Sequence, residues 1–418
     1  MEIIVQKFGG TSVQSKENRI YVMNHIKRVL EEGKKAVVVV SAIGRSPDPY
    51  ATDTLLSLVD FSDEKNVRRE LDMLMSCGET ISSVVLTSEL QGEEISATAL
   101  SGGSAGIITD EEFSDATITS VQPGRILKEL ETCDVVVVAG FQGQTPTGEV
   151  TTLGRGGSDT TAASLGVALQ AEHIEIYTDV EGIMTADPRI VKQAQLLPAV
   201  TYNDICHLAY QGAKVIHPRA VEIAMQSKVP VKVRSTYSDN PGTYISSSLS
   251  NVADVQIQDR VVTGFAHLKS ITQIKVHLKE DEQRRQSIVF KTMAEAGISV
   301  DFINISPSEI VFTVLTDMAM IAVRLLKAQK FSVDYVKNCA KISAIGSGMT
   351  GVPGVAARIV TTLANQDIDI LQSADSHSTI WVLIAEEHIH KAMNALHDEF
   401  NLHQTYENMK QDSYVNID

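Results

Sequence analysis

The chain has 418 residues, of which 43% are hydrophobic and 21% charged, a balance typical of a globular protein with about three domains. Its net charge of −16 argues against nucleic acid or an anionic membrane surface as the main partner. The apolar runs are too short to cross a bilayer, and no signal peptide is evident, so we expect a cytoplasmic protein without a membrane partner. The four cysteines are scattered without a CxxC pair, which argues against disulfides and a zinc site, and we expect no protein-bound metal.

From the start to about residue 244, apolar strands alternate with helical stretches. The β-branched runs are typical of strands covered on both faces, and they are EIIVQKF, KAVVVVSAI, EISATAL, DVVVVAGF, EIEIYTD and VPVKVRS. Helices are predicted at 16–32, 54–90 with a break near 62, 123–130, 160–170 and 218–226. The pattern indicates an α/β domain with a mostly parallel sheet, which binds ligands at the carboxyl ends of its strands.

A Ser-rich stretch at 238–251 reads as a linker, and a degenerate internal repeat follows it with an offset of roughly 70 residues. Each copy is typical of a ferredoxin-like βαββαβ unit. We therefore expect a first domain at 1–245, a linker at 246–262 and two small domains at 263–337 and 338–418. Paired small-molecule sensing modules are favoured, and a purely structural role in dimerisation is the alternative.

Two glycine-rich junctions carry charge where a strand meets a helix. VQKFGGTSV places Lys7 at the end of the first strand before Gly9 and Gly10, and LGRGGSD places Arg155 ahead of an alanine-rich helix. A helix N-terminus is already positive, so an arginine beside it indicates an anion between them unless a nearby carboxylate pairs with it. The first junction lacks the spacing of a P-loop and that of a dinucleotide-binding turn.

The remaining strand ends show the same bias towards glycine, hydroxyl and charged side chains. Ser41 and Thr52 lie in the polar loop SAIGRSPDPYATD, and Glu79 follows a corner of small residues in SCGET. Asp179 and Lys214 lie in later loops. Each has an ordinary structural explanation alone, but together they favour one shared site for phosphate and carboxylate groups.

A competing motif, GSGMTG at 346–351, matches GxGxxG and has acidic residues about 20 positions further on. Only some 65 residues follow it, too few for a dinucleotide-binding domain, and Pro353 intervenes before the helix. An oxidoreductase is therefore rejected, and a loop of the repeat unit is favoured.

The assembled loops resemble those of bacterial aspartokinases, which belong to the amino-acid kinase family. KFGGTS, SCGET, TTLGRGGSDTTAA, YTDVEGIMTADPR and GAKVIHPRA match that family in order and spacing. The resemblance covers essentially the whole chain, because aspartokinases carry two C-terminal ACT domains where the repeat lies. It implies an amino-acid kinase fold, transfer of the ATP γ-phosphate to the β-carboxylate of L-aspartate, and entry to diaminopimelate, lysine, threonine and methionine biosynthesis. No fused homoserine dehydrogenase domain is expected.

The resemblance also implies roles for individual residues. Catalysis is expected from alignment and charge neutralisation by Lys7, Glu79, Arg155 and Asp159, with Mg²⁺ arriving on the nucleotide. Arg155 is expected to form two hydrogen bonds with the α-carboxylate of the substrate. Glu79 and Asp159 are expected to face its α-ammonium group and its reacting end, and the sequence leaves open which residue faces which. The expected substrate-binding residues are Ser41, Thr52, Glu79, Arg155, Gly156, Gly157 and Ser158. The expected ATP-binding residues are Lys7, Phe8, Gly9, Gly10, Thr178, Asp179, Met184, Asp187, Arg189 and Lys214.

Regulation is expected in the second ACT unit, where TGVPGVAARI matches the family's effector loop. The expected effector-binding residues are Gly351, Val352, Pro353, Gly354 and Val355. The first copy has KEDEQRRQSIVFKT at the corresponding place, without Pro-Gly, so a first-copy site of the usual lysine or threonine kind is in doubt. The sequence resembles the diaminopimelate-sensitive aspartokinases of Bacillus-type bacteria, which implies meso-diaminopimelate as inhibitor. Since ACT units pair edge to edge, a homodimer or higher homo-oligomer is expected.

Two alternatives stay open at this point. One is a kinase for another acidic amino acid, such as glutamate or acetylglutamate, which the combination of SCGET, GRGGSD and two ACT units disfavours. The other is a catalytically inactive amino-acid sensor with the same fold, which the presence of all four expected catalytic residues disfavours.

Overall fold

The structure is a computed structural model that describes residues 1–60, 67–213, 215–247, 261–278, 285–349 and 351–404. The chain forms two compact units, and their boundaries interleave along the sequence. The first unit comprises Met1–Ile183, Leu196–Tyr210 and Lys214–Ile257. The second comprises Met184–Gln195, Gln211–Ala213 and Gln258–Asp418.

The first unit alternates strands and helices as its sequence pattern indicates. Its elements in chain order are β1 (Ile3–Phe8), α1 (Lys16–Glu31), β2 (Lys35–Val40), α2 (Thr52–Leu56), α3 (Arg68–Gly92), β3 (Ala97–Leu100), β4 (Ile107–Thr109), β5 (Ile118–Val121), α4 (Gly124–Leu130), β6 (Val135–Ala139), β7 (Gln142–Gln144), β8 (Val150–Thr152), α5 (Gly157–Ala168), β9 (His173–Thr178), β10 (Ala199–Thr201), α6 (Tyr202–Tyr210), α7 (Pro218–Ser227), β11 (Val231–Ser235) and β12 (Thr243–Ser246).

The main sheet of this unit has the strand order β10-β12-β11-β9-β1-β2-β6-β3 within the described residues. Every pairing is parallel except that of β11 with β12. Apolar side chains of the central strands, such as Val38 and Val137, are buried against residues of α1 and α3. The carboxyl ends of β1, β2, β6 and β9 therefore meet at one edge, as the sequence predicts for a mostly parallel sheet.

A second, four-stranded sheet in the order β5-β4-β7-β8 was not predicted. Its strands have three or four residues each, too few for a period-two pattern to stand out. The strands β7 and β8 form an antiparallel hairpin between β6 and α5. The loop 153–156 therefore follows β8 of this small sheet and does not directly follow β6 of the main sheet.

Two helices differ from the sequence-based expectation. The stretch expected at 160–170 begins earlier, because Gly156 adopts a left-handed conformation with φ of 70° and caps the helix. Ser158 and Asp159 thus lie in the first turn of α5. The helix α6 was not among the predicted helices.

The second unit contains the internal repeat. Its elements are β13 (Gly264–His277), α8 (Gln286–Glu295), β14 (Asp301–Ile305), β15 (Glu309–Leu315), α9 (Thr316–Ala328), β16 (Ser332–Ile345), α10 (Val355–Ala364), β17 (Gln372–Asp375), β18 (Thr379–Ala385) and α11 (Ile389–Glu399). The strands form one sheet in the order β14-β15-β13-β16-β18-β17.

The long strands β13 and β16 each serve both copies of the repeat. Residues 271–277 of β13 pair with β15, whereas 264–268 pair with 341–345 of β16. The first copy reads βαββαβ in chain order, and the second takes one of its strands from residues that precede the first copy. Repetition in the sequence predicted two units, but it gave no sign that 264–268 of β13 pair with 341–345 of β16.

The segment 184–195 packs within the second unit. Ile190, Val191 and Ala194 are buried in one cluster with Ile359 of α10 and Leu396 of α11. The predicted linker at 246–262 lies almost entirely outside the described residues. Among the helices that the structure describes, none is long and apolar enough to span a membrane.

Candidate active site

A cleft of about 300 Å³ opens at the carboxyl edge of the main sheet in the first unit. Its walls come from the loops after β1, β2 and β8, from α2 and α3, and from the start of α5. Ten residues predicted from sequence line it, and they are Lys7, Gly10, Ser41, Thr52, Glu79, Arg155, Gly156, Gly157, Ser158 and Asp159.

A close ion pair lies in this cleft. Lys7 Nζ is 2.6 Å from Asp159 Oδ1, and only 13% and 12% of the two side chains are exposed. The second carboxylate oxygen of Asp159 accepts the backbone N–H of His217 at 3.3 Å. The pair joins the end of β1 to the first turn of α5, where a carboxylate also benefits from the positive end of the helix.

The glycine turn after β1 brings two loops into close contact. The Gly44 N–H donates to the Gly10 carbonyl at 2.9 Å. A Cβ on Gly10 would lie 2.7 Å from the carbonyl oxygens of Ala42 and Gly44, so a larger residue would force the two loops apart. Glycine at this position is a packing requirement that keeps the cleft narrow.

Glu79 is buried in the wall of the cleft. Gly78 lets α3 approach the β2 loop, because a Cβ there would lie 2.8 Å from the Ala42 side chain. One Glu79 oxygen accepts the Ala42 N–H at 3.1 Å, and the other, Oε2, is buried without a hydrogen-bond partner among the described residues. Burial raises the pKa of Glu79 to about 8 because the ionised form loses its water.

Arg155 lies at the mouth of the cleft between two glycines with positive φ, Gly154 at 69° and Gly156 at 70°. Its side chain is exposed, and no described residue forms an ion pair or hydrogen bond with its guanidinium. The alternative in which Arg155 merely pairs with a neighbouring carboxylate therefore has no support in the described part of the chain. Ser41 Oγ donates to Ser158 Oγ at 3.0 Å on the opposite wall.

A buried carboxylate anchors the hairpin that carries Arg155. Asp72 of α3 accepts the backbone N–H and hydroxyl groups of both Ser114 and Thr152 at 2.8 to 3.2 Å. Thr152 is the last residue of β8, three positions before Arg155. Burial raises the pKa of Asp72, while the hydrogen bonds that it accepts oppose the shift. Asp72 was not singled out from the sequence, since one acidic residue on a helix resembles a solvated charge.

The residues expected to bind nucleotide are dispersed. Phe8 is wholly buried and stacks on Tyr177 with ring centroids 4.6 Å apart, and the Thr178 hydroxyl donates to Asp179 at 3.1 Å. Asp179 lies 4.0 Å from the Arg45 guanidinium at the cleft. Met184, Asp187 and Arg189 belong to the second unit, where Arg189 donates twice to Asp187. Lys214 lies outside the described residues.

The expected effector loop lines a cavity of about 650 Å³ in the second unit. Gly351, Val352, Gly354 and Val355 contribute to its wall, and Gly354, with φ of 96°, caps the start of α10. Asp375 and His377 face the same cavity. The charged stretch 279–284 in the first copy lies outside the described residues.

Sequence reasoning missed part of the cleft lining. The additional residues are Ala42, Gly44, Arg45, Phe141 and Gly154. The polar character of the loop 41–53 was a usable signal for Arg45. Phe141 and Gly154 lie in GFQG and LGRGGSD, two motifs after the strand DVVVVAGF, but neither residue was chosen as a contact, because the β7–β8 hairpin between the two motifs was not predicted.

Comparison with known proteins identifies the family to which the chain belongs. The model of the amino acid kinase family matches residues 2–235, and an ACT domain model matches residues 334–398. Aspartokinase 1 of Bacillus subtilis is 55% identical over 96% of this chain and 100% of its own length. The aspartokinase of Geobacillus stearothermophilus is 40% identical over 96% and 98%.

Solved structures share the fold. Aspartokinase III of E. coli, in complex with aspartate and ADP, superposes with a TM-score of 0.76 at 24% identity and covers 95% of this chain and 99% of its own. Aspartate kinase from Synechocystis is 37% identical with a TM-score of 0.53, over 95% of this chain and 69% of its own.

The fold and the cleft define a kinase that positions an anionic acceptor against a phosphoryl donor. The chain belongs to the amino acid kinase family and, within it, to the aspartokinases. It is an ATP-dependent aspartate kinase with regulatory ACT domains, which confirms the resemblance stated from the sequence and leaves the sensor and the other-acid kinase without support.

Proposed function

We propose that the cleft of the first unit holds L-aspartate between Arg155 and Glu79 and presents its β-carboxylate to the ATP γ-phosphate beside Lys7. The observation that carries this proposal is the convergence of these three side chains on one cleft. The acceptor carboxylate is already ionised at neutral pH, so alignment and charge neutralisation suffice without a strong general base.

Lys7 is proposed to neutralise the transferring phosphoryl group, and the N–H groups of Gly9 and Gly10 to donate to its oxygens. A carboxylate oxygen of aspartate attacks the γ-phosphorus as the bond to ADP breaks, and 4-phospho-L-aspartate forms. The 2.6 Å contact with Asp159 supports this role because it fixes the ammonium group of Lys7 at the end of β1. Asp159 is thus assigned to orienting Lys7.

Glu79 is proposed to receive the α-ammonium of aspartate. Its buried Oε2 lacks a partner among the described residues, and a cation there would supply one. The same cation favours the ionised carboxylate, which burial otherwise disfavours. The proposed division of roles is therefore that Glu79 binds the α-ammonium group and Asp159 orients Lys7.

Arg155 is proposed to form two parallel hydrogen bonds with the α-carboxylate of aspartate, a planar match that lysine lacks. The flanking backbone of Gly156 and Gly157 lets the loop close on the substrate. Ser41, Thr52 and Ser158 supply hydroxyl groups to the same cleft.

Mg²⁺ is proposed to bind with the nucleotide. The carboxylates that line the cleft fit a metal ion poorly as a cage, because Asp159 is paired with Lys7 and Glu79 is buried in the wall with one oxygen on the Ala42 N–H and the other assigned to the α-ammonium. Phosphate oxygens and water would supply most of its ligands, as is usual for Mg²⁺. When bound, the ion offsets negative charge on the phosphates.

The remaining nucleotide contacts stay proposals from the sequence resemblance. They are Phe8, Thr178, Asp179, Met184, Asp187, Arg189 and Lys214. For Phe8, the buried side chain leaves only its backbone for such a role.

We propose meso-diaminopimelate as the feedback inhibitor, bound at Gly351–Val355 of the second ACT unit, Pro353 included. The N-terminus of α10 offers N–H groups for a carboxylate, and Asp375 in the same cavity offers a negative charge for an ammonium group. We also propose domain limits of 1–245, 263–337 and 338–418. The chain is further proposed to form a homodimer or higher homo-oligomer through its ACT units and to lie in the cytoplasm.

The test is ADP production from Mg-ATP with L-aspartate, with hydroxylamine present to trap the acyl phosphate. Repeating it with lysine, threonine and meso-diaminopimelate identifies the inhibitor. Hydroxamate that depends on aspartate and falls with meso-diaminopimelate supports the proposal. Inhibition by lysine or threonine without an effect of diaminopimelate would overturn the effector assignment alone.

A further inference from the structure

We propose that His397, Asp398 and His403 form a binding site for one divalent transition-metal ion of the zinc class at the end of α11. One ligand atom from each residue lies within 4.8 Å of the other two. His403 Nδ1 is 3.7 Å from Asp398 Oδ1, and the two imidazole rings have their centroids 6.4 Å apart. The site is separate from the kinase cleft and from the effector loop.

The donor set selects the class of metal. Two imidazole nitrogens and one carboxylate oxygen suit Zn²⁺, whereas Mg²⁺ and Ca²⁺ prefer oxygen ligands throughout. In a tetrahedral zinc site the ligand atoms lie about 3.4 Å apart, as follows from Zn–N distances of about 2.1 Å. The contact between His403 and Asp398 is already close to this separation, and water would complete the fourth position.

The three side chains differ in freedom in a way that suits capture of an ion. His397 is wholly buried, whereas Asp398 is exposed and His403 is partly exposed. The two outer side chains therefore have more freedom to adjust towards an ion than the buried one. His403 Nδ1 is itself buried without a hydrogen-bond partner among the described residues, and a metal would supply one.

A neighbouring hydroxyl orients His397. Its Nε2 lies 2.9 Å from Thr185 Oγ1, which also accepts the Gln195 N–H at 2.9 Å. When Nε2 donates to this hydroxyl oxygen, Nδ1 carries the lone pair that a metal needs, an arrangement usual for metal-bound histidine. A metal at this place would tie the end of α11 to the segment 184–195 through Thr185.

The experiment measures zinc binding to the full chain after dialysis against a chelator. The variants are His403→Ala and Asp398→Asn, both at accessible positions, and the control is His390→Ala, an exposed histidine on the same helix. Calorimetric titration with Zn²⁺ gives stoichiometry and affinity, Co²⁺ absorption reports tetrahedral geometry, and circular dichroism verifies folding.

We expect one Zn²⁺ per chain in the native protein and in His390→Ala, with a higher Tm in both when zinc is present. Affinity should fall by at least about tenfold in His403→Ala and in Asp398→Asn. Unchanged affinity in these two variants, or an equal loss in His390→Ala, would overturn the proposal. Competition by millimolar Mg²⁺ would overturn the assignment to the zinc class.

Discussion

Lys7 and Asp159 form an ion pair of 2.6 Å that links the end of β1 to the first turn of α5. A pair so sheltered from solvent holds both side chains in place, and it fixes the Lys7 ammonium group in the wall of the cleft. The rest of the cleft is arranged around it, with Glu79 in one wall and Arg155 at the mouth.

Replacement of Lys7 by Met should lower kcat by about 10²- to 10³-fold, because it removes the charge that offsets the transferring phosphoryl group. Aspartate KM should change little, since the proposal assigns the α-carboxylate and α-ammonium of aspartate to Arg155 and Glu79 and not to Lys7. Steady-state kinetics with both substrates varied provide the test. Lys16→Ala, an exposed lysine at the start of α1, is the control, and a kcat for Lys7→Met within threefold of the native value would contradict the role.

Arg155→Ala should raise aspartate KM by about 10- to 100-fold and leave ATP KM nearly unchanged, because a two-bond contact to a carboxylate is lost. Arg155→Lys should recover only part of the loss, since lysine provides a point charge without the fork. The matched control is Arg125→Ala, which removes an exposed arginine paired with Glu129. A rise in ATP KM with aspartate KM unchanged would show that the loop serves the nucleotide.

Gly156→Ala should destabilise the protein and impair aspartate binding. The position has φ of 70°, and a Cβ there would overlap the His217 ring. Gly33→Ala is a matched control, since φ is 76° but a Cβ would meet no described atom within 4 Å. It should lower stability by about 1–2 kcal/mol with activity retained. Equal effects of the two substitutions on aspartate KM, measured beside chemical denaturation, would argue against the close packing of Gly156 on His217.

The raised pKa of Glu79 gives the ligand-free protein a specific pH dependence. Below the ordinary pKa of 4.5 the side chain is neutral in the folded and unfolded states alike. Between 4.5 and about 8 the folded state holds a proton that the unfolded state releases, so the stabilising effect of this proton is lost as pH rises through that window. Thermal unfolding of the native protein and of Glu79→Gln is measured from pH 5 to 9. As pH rises, the native protein should lose stability relative to the variant. A stability difference between the two proteins that stays constant with pH would contradict the raised pKa of Glu79.

Binding of aspartate should release close to one proton at neutral pH if its ammonium group ionises Glu79. Calorimetric titrations in buffers of different ionisation enthalpy measure this number. In Glu79→Gln the release should vanish. Identical proton release by the native protein and the variant would place the α-ammonium elsewhere.

The sequence predicted residues that line the cleft better than the residues that hold the cleft in place. Lys7 lies at the carboxyl end of the first predicted strand, and the parallel-sheet rule places such positions at one edge of the main sheet. Glu79 and Arg155 were instead marked by a charge beside glycine or other small residues. Asp72 could not be found in this way, because its four hydrogen bonds depend on Ser114 and Thr152, which are distant in sequence. The hairpin β7–β8 was too short to carry a pattern. The placement of Ile190 and Val191 in the second unit depends on packing that periodicity does not encode.

The central claim is that Arg155 recognises the α-carboxylate of aspartate and Glu79 its α-ammonium group. Substrate analogues that lack one of these groups test the claim most directly. Succinate lacks the α-ammonium and β-alanine lacks the α-carboxylate, while both keep the acceptor carboxylate. We would measure kcat/KM for both analogues and L-aspartate with native protein, Glu79→Gln and Arg155→Ala. Glu79→Gln should lose most of the native preference, in kcat/KM, for aspartate over succinate. Arg155→Ala should lose most of the native preference for aspartate over β-alanine. Preferences unchanged from the native values in both variants would contradict the account.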